Sequence, residues 1–329
     1  MKKLGIGTLA GVLALSMAAC GSSGSAGGSG GEGYPDDDIN MTVTYAAGGP
    51  TDISGRAIAA AFEKQLDTSV VVQNVEGASG SVGSAEVARA KPDGYNIGMT
   101  TTSAVSRVPL IEDVGFTLED VAPIGVVTQG AGVLLVGVDS PYESIDDLVK
   151  AAKDKPGEIK IGAAGAQTPQ AVEIERWQSE YDVPVQLVPF QGDAPAVTAL
   201  LGGNVDAVVP AYTESVQAHH EAGKIRPLAV MGSERVPFLP DTPTFAESGF
   251  EDLIYGVSTF ILIAPAGTPD DVIATLEDAL EKAVQDEATY EALSGEIMVP
   301  EEFIGSEELT KKMNEEIAVL EPVLKDLFG

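Results

Sequence analysis

The sequence predicts an α/β protein built as two parallel-sheet units joined by two chain crossings. Three observations predict it. Short apolar strands alternate with amphipathic helical stretches, the alternation comes in two blocks, and two long apolar runs, Val121 to Val138 and Gly256 to Ala264, flank the second block. With 329 residues and 44% apolar content the chain has material for two cores.

The elements follow in order. Thr42 to Tyr45 reads as a strand, Ile53 to Leu66 as a helix, Ser69 to Asn74 as a strand, Ser84 to Ala90 as a helix and Tyr95 to Met99 as a strand after the turn KPDG. The second block starts with a helix over Ile145 to Lys155, capped by Ser144, then alternates. Its strands are Ile159 to Gly162, Val185 to Val188, Val205 to Val209 and Ile225 to Val230. Its helices are Ala171 to Tyr181, Ala194 to Leu201 and Glu214 to Ala222. Helical stretches over Pro269 to Gln285 and Ser306 to Leu327 end the chain. The two apolar runs carry the chain out to the second unit and back, and two crossings make a hinge. Domain 1 is therefore expected over residues 39–130 and 258–329, domain 2 over 131–257, with crossings near 128–138 and 254–264.

The first residues, MKKLGIGTLAGVLALSMAAC, place two lysines before an apolar run from Leu4 to Ala19, the pattern of an export signal over residues 1–19. The run is short for a membrane span, which needs about 20 apolar residues. MAAC resembles a lipobox, with Met17 where leucine is usual, and Cys20 is the one cysteine in the chain, so lipidation gives that thiol a purpose. The following GSSGSAGGSGGEG is a flexible tether, and residues 20–38 read as anchor and linker. An exported protein held by lipid at the outer face of the cytoplasmic membrane is expected. The formal charge is −31, nearer −33 once Lys2 and Lys3 are removed with the signal. So acidic a surface repels nucleic acid and anionic headgroups, which excludes nucleic acid as a partner and leaves the anchor as the only contact with membrane.

The stretch YAAGGPTDISGRAIAA, Tyr45 to Ala60, breaks a strand at two glycines and opens a helix. Such a loop lies at the carboxyl edge of a parallel sheet, where the first N–H groups of the helix lack intrahelical partners and the dipole favours an anion. Asp52 either caps the helix or orients a ligand. The second block has a matching loop, IKIG then AAGAQTPQ then a helix, and two such loops facing each other make a cleft. Competing motifs fail on spacing: there is no G-x-G-x-x-G, no phosphate loop with its lysine and no G-x-S-x-G elbow. His219 and His220, the only histidines, point about 100° apart on a helix and cannot chelate one ion, and read as an exposed helical face. No metal, cofactor or catalytic group is expected, a metal or glycosidase site made of Asp and Glu alone being the alternative the sequence leaves open, and Trp177 reads as core.

Four segments carry a resemblance: VTYAAGGPTDISGRAIA, VVQNVEGASGSVGSAEVARAKPDGYNIGMTTTSA, VPFQGDAPAVTALLGGNVDAVV and GKIRPLAVMGSERVPFLPDTPTFAESGF. From about Asn40 to the C-terminus the chain resembles the extracytoplasmic substrate-binding receptors of tripartite tricarboxylate transporters, the TctC or Bug family. The resemblance implies a type II periplasmic-binding-protein fold: two doubly wound α/β domains closing on a carboxylate-bearing ligand. It further implies a monomer that delivers its ligand to large and small integral membrane subunits. Carried over by motif, the ligand-binding residues are Gly48, Gly49 and Asp52; Thr101, Thr102 and Ser103; Ala166, Gln167 and Thr168; and Gln191 and Gly192. Two departures bear on the ligand. The second-unit loop has Gln167 and Thr168 and leads to no histidine, and Gln191 stands where many members have lysine. Fewer cations at the cleft favour a mono- or dicarboxylate over citrate. Two other functions remain open at this level: a sensory receptor of the same fold serving a membrane kinase, and an extracellular enzyme acting on a small carboxylate.

Overall fold

The computed structural model describes residues 33–190 and 192–328. The signal, Cys20 and nearly all of the tether lie outside the described residues, as does Gln191. The chain opens with β1 (Ile39–Val43), α1 (Pro50–Leu66), β2 (Val70–Asn74), α2 (Ser81–Ala88) and β3 (Asn96–Thr101). β1 lies between β2 and β3 and parallel to both, with Ile39 opposite Val70 and Asn40 opposite Asn96. Two short helices, α3 (Thr102–Ser106) and α4 (Val108–Ile111), lead to β4 (Val121–Gly137).

The first predicted crossing is thus one long strand. From Val121 to Ala131 β4 pairs with the later strand of the second crossing, and from Gly132 to Gly137 it pairs with strands of the second block, with register shifts at Pro123/Gly125, Val126/Thr128 and Leu134/Leu135. Such irregularities bend and twist a strand, which suits one that passes between two half-sheets. The second block runs α5 (Ile145–Asp154), β5 (Lys160–Ala163), α6 (Pro169–Tyr181), β6 (Gln186–Pro189), α7 (Asp193–Leu201), β7 (Ala207–Val208), α8 (Glu214–Glu221) and β8 (Ile225–Met231). The return strand β9 (Val257–Pro265) inserts antiparallel between β3 and β4. Then come α9 (Asp270–Gln285), α10 (Glu287–Ala292), α11 (Gly295–Met298) and α12 (Ser306–Phe328). The strand order is β2-β1-β3-β9-β4-β7-β5-β6, with β8 also on β4.

Helices cover both faces of each half-sheet. In the first half Met41, Phe62 and Leu280 pack on one side and Val105, Ile263 and Met313 on the other; in the second half Ile161, Trp177 and Phe245 pack on one side and Leu135, Val197 and Tyr212 on the other. Trp177 is core, edge-on to Phe245 and Phe250.

The structure differs from the sequence reading in instructive ways. The sheet is mixed, because the crossing strands run antiparallel to each other. α1 begins at Pro50 rather than Ile53, since Gly49 takes the N-cap position and proline suits the first turn. α3, α4, α10 and α11 were not foreseen; at four to six residues they show no helical period. Ser144 does cap α5, its hydroxyl accepting the Asp147 N–H at 3.2 Å.

Candidate ligand-binding cleft

The parallel strands of both halves end in the turns that hold most of the predicted residues. In the first lobe, Gly48 and Gly49 form the turn after β1. Gly48 adopts φ +81° and donates its N–H to Asp52 Oδ2 at 2.9 Å. Asp52 is buried and accepts two more hydrogen bonds, from Arg56 Nε (3.1 Å) and Asn74 Nδ2 (2.9 Å); Arg56 Nη2, which donates to Asn74 Oδ1 at 3.0 Å, lies 2.9 Å from Asp52 Oδ1 as an ion pair. Asp52 thus braces the turn. The hydrogen bond from Arg56, with those from Gly48 and Asn74, holds its carboxyl down at about 2. The first intrahelical bond of α1 runs from Ile53 N–H to Gly49 O at 3.0 Å, so the N–H groups of Thr51 and Asp52 precede the ladder.

The other two first-lobe turns close around Tyr45. Its hydroxyl donates to Ser79 O at 2.7 Å and pairs with Thr101 Oγ1 at 2.9 Å. Gly80, φ +93°, lies against the ring, and a Cβ there would meet Tyr45 at 2.9 Å. Thr101 also caps α3, accepting the Ala104 N–H at 3.3 Å. Thr102 is buried and Ser103 half-buried at the start of that helix. Tyr45 and Ser79 join the site geometry without having been predicted. Tyr45 opens the strand-to-helix stretch, but nothing in sequence marks a hydroxyl that reaches across two turns.

Among the described residues the second-lobe turns make fewer side-chain hydrogen bonds. After β5, Gly165 has φ +148°, Ala166 is exposed, and Gln167 and Thr168 are half-buried. Thr168 caps α6 by accepting the Ala171 N–H at 3.3 Å. Next to it Gln170, unpredicted and buried, donates from Nε2 to Ser258 Oγ on β9 at 3.0 Å, tying the turn to the returning crossing. After β6, Gly192 has φ +122° and precedes Asp193, the first residue of α7. Burial pushes the Asp193 carboxyl up to about 6 against the pull of the Ala211 N–H, and no Lys or Arg pairs with it among the described residues. The histidine pair is not a freely exposed face: both rings are half-buried, and His220 Nδ1 pairs with Tyr212 OH at 2.8 Å.

Chemically, this arrangement offers backbone N–H groups, hydroxyls and helix N-termini, with one arginine already neutralised by Asp52. It suits holding an organic anion. Among the described residues no group of three or more His, Cys, Asp or Glu could hold a metal ion, and no helix is long and apolar enough to cross a membrane. A separate cavity of about 870 Å³ behind the crossings is lined by residues such as Gln129, Met231, Phe238 and Phe303, and by none of the predicted ones.

Comparison with known proteins bears on these observations. Residues 55–327 match the model of the tripartite tricarboxylate transporter family receptor, TctC. The chain is 32% identical over 272 residues to Protein BugT of Bordetella pertussis, covering 81% of this chain and 82% of that one. A TctC solute-binding protein from Polaromonas, solved without ligand, superposes with TM-score 0.79 at 29% identity, over 89% of this chain and 99% of the other. MatC of Rhodopseudomonas palustris with bound malate gives 0.71 at 26%, covering 88% and 100%, and an R. palustris protein with adipate gives 0.73 at 28%, covering 89% and 97%. The fold is that of the two-domain periplasmic binding proteins, and the chain belongs to the TctC receptor family of periplasmic solute-binding proteins.

Proposed function

We propose that the protein captures a small mono- or dicarboxylate between its two lobes, without chemical turnover, and hands it to the large and small integral membrane subunits of a tripartite tricarboxylate-type secondary transporter. The observation that carries this reading is the pair of helix-initiating turns that follow parallel strands in the two halves, Gly48 to Asp52 after β1 and Gly165 to Thr168 after β5, within a chain of this family. Thr101 to Ser103, Gln191 and Gly192 complete the proposed site, with Tyr45 and Ser79 added. The lobes are proposed as residues 39–130 with 258–329, and 131–257, so that the crossings near 128–138, at the end of β4, and near 254–264, into β9, form the hinge.

Two neighbours were solved with malate and adipate, both dicarboxylates. That agrees with a cleft poor in cations, since backbone donors act at contact distance while the acidic surface opposes a trianion. Ligand bridging the lobes favours closure only by as much as it prefers the closed arrangement. Export and lipidation at Cys20 place the receptor at the outer face of the cytoplasmic membrane. The test is a calorimetric panel of mono-, di- and tricarboxylates. Malate or adipate is expected to bind more tightly than citrate; citrate binding more tightly than every mono- and dicarboxylate would end the preference. Loss of uptake on deleting either of two polytopic membrane proteins encoded beside this gene is the expected outcome for the transport partnership.

A further inference from the structure

Each of the two proposed binding turns opens a helical run whose next turns enter one buried charge network. From the Thr101 turn, α3 leads to Arg107, which is 3% exposed. Its Nε donates to Glu316 of α12 at 2.5 Å and its Nη2 to Tyr255 O at 2.9 Å. From the Thr168 turn, α6 leads to Glu173 and Arg176, both buried. Arg176 Nη1 holds Glu173 at 3.0 and 3.3 Å and Asp252 O at 2.9 Å, and the Tyr255 N–H reaches Glu173 Oε2 at 3.4 Å. First-lobe charges and second-lobe charges thus meet at the returning crossing, over an apolar contact of Val172 with Leu320 and Leu324.

The network is one bond short. Arg107 Nη1 is buried and finds no acceptor among the described residues. Across the contact, the Glu173 carboxyl is held up at about 7 by burial even with Arg176 against it, and the charge of Arg107 pulls it the other way. Arg107 and Glu173 both bond the backbone of Tyr255, one at its O and the other at its N–H, so the free Arg107 Nη1 and the Glu173 carboxylate flank one residue of the returning crossing and attract each other.

We propose that Arg107 and Glu173 are positioning residues for ligand binding, a latch between the lobes whose pairing sets the separation of the Thr101 and Thr168 turns. This rests on the reading of those turns as the binding site. Arg107 and Glu173 touch no ligand; they bias the equilibrium between two lobe arrangements, and ligand affinity follows the population of the competent one.

The test separates the latch from the site. Spin labels at exposed Lys91→Cys and Lys155→Cys, in a Cys20→Ser background, report the distance between the lobes without ligand. Glu173→Gln, which keeps shape and removes charge, should shift or broaden that distance distribution, and so should Glu316→Gln, which removes the negative charge that holds Arg107 on α12. The dissociation constants of malate and adipate should change by at least about fivefold in Glu173→Gln. Arg107→Lys should recover part of what Arg107→Met loses, an outcome that simple loss of packing would not give. Unchanged distances and affinities in folded Glu173→Gln and Glu316→Gln would overturn the latch. Wild-type protein that binds neither probe would count against the proposed function, and the ligand-free distances would still decide the latch.

Discussion

The two halves of the cleft are built to different tolerances. On the first lobe Asp52 accepts three hydrogen bonds and an ion pair, and Tyr45 joins the turns after all three parallel strands, so the backbone of these turns is held by the protein itself. Among the described residues the second-lobe turns rest on Thr168, which caps α6 and donates to Gly165 O at 3.4 Å, on one glutamine tied to β9, and on an aspartate whose carboxyl meets a single backbone N–H. A preorganised half supplies affinity at little ordering cost, whereas a loosely tied half can differ between ligands. The difference suggests that carboxylate capture belongs to the first lobe and discrimination to the second.

The strongest way to break that division is Gly80→Ala. The substitution puts a side chain at φ +93° and drives a Cβ into the Tyr45 ring, so it should cost about 2–4 kcal/mol of stability, strain and overpacking together. Urea unfolding measures it. If the first lobe is as rigid as argued, the folded fraction should also lose affinity for malate and adipate together; loss of one alone would move discrimination to this lobe.

Asp52→Asn is expected next in size. It keeps the shape but loses the charge that holds Arg56, at about 1–2 kcal/mol. The pH sign follows from a folded carboxyl held at about 2 against an ordinary 3.8. Its contribution is present above pH 3.8 and is lost as pH falls through 2. The wild-type melting temperature should drop over that window more steeply than that of Asp52→Asn.

Asp193→Asn sharpens the second-lobe side. Here the folded carboxyl is raised to about 6, so the proton-bound form is favoured by folding and the associated stability, present below the ordinary 3.8, is lost as pH rises through 6. The variant should therefore gain about 1 kcal/mol over wild type at pH 7.5, after allowance for solvent at this half-buried group, and nothing at pH 3.5. Removing a negative charge from the second-lobe wall should also tighten dianionic probes more than monoanionic ones.

Much of this was legible in the sequence because it is periodic or capped. Ser144 announced α5, the paired apolar runs announced two crossings, and GGPTD announced a strand feeding a helix N-terminus. What escaped depends on contacts between segments far apart in the chain. Sequence gives Asp52 two roles, cap or ligand group, and its bonds to Gly48, Arg56 and Asn74 are visible only once the fold brings them together. Tyr45, Gln170 and Arg107 carry no local signal; each acts through a partner far along the chain. The short helices α3 and α4 escaped for another reason, since a single turn leaves no period to read, yet α3 is what delivers Arg107 to the interface.

The smallest expected effect is the one that tests the asymmetry most directly. Thr168→Ala removes the hydroxyl that accepts the Ala171 N–H at 3.3 Å, a long bond at a half-buried position, and should cost about 0.5–1 kcal/mol in thermal unfolding. Thr101→Ala removes the matching cap of α3, but that hydroxyl also pairs with Tyr45. If the first lobe is a connected network and the second a set of independent turns, Thr101→Ala and Tyr45→Phe should couple non-additively in a double-mutant cycle. Thr168→Ala and Gln170→Ala, which share no hydrogen bond, should add. Coupling of similar size in both pairs would mean that the two halves of the cleft are equally tied, and the division between capture and discrimination would have to be sought in the ligand.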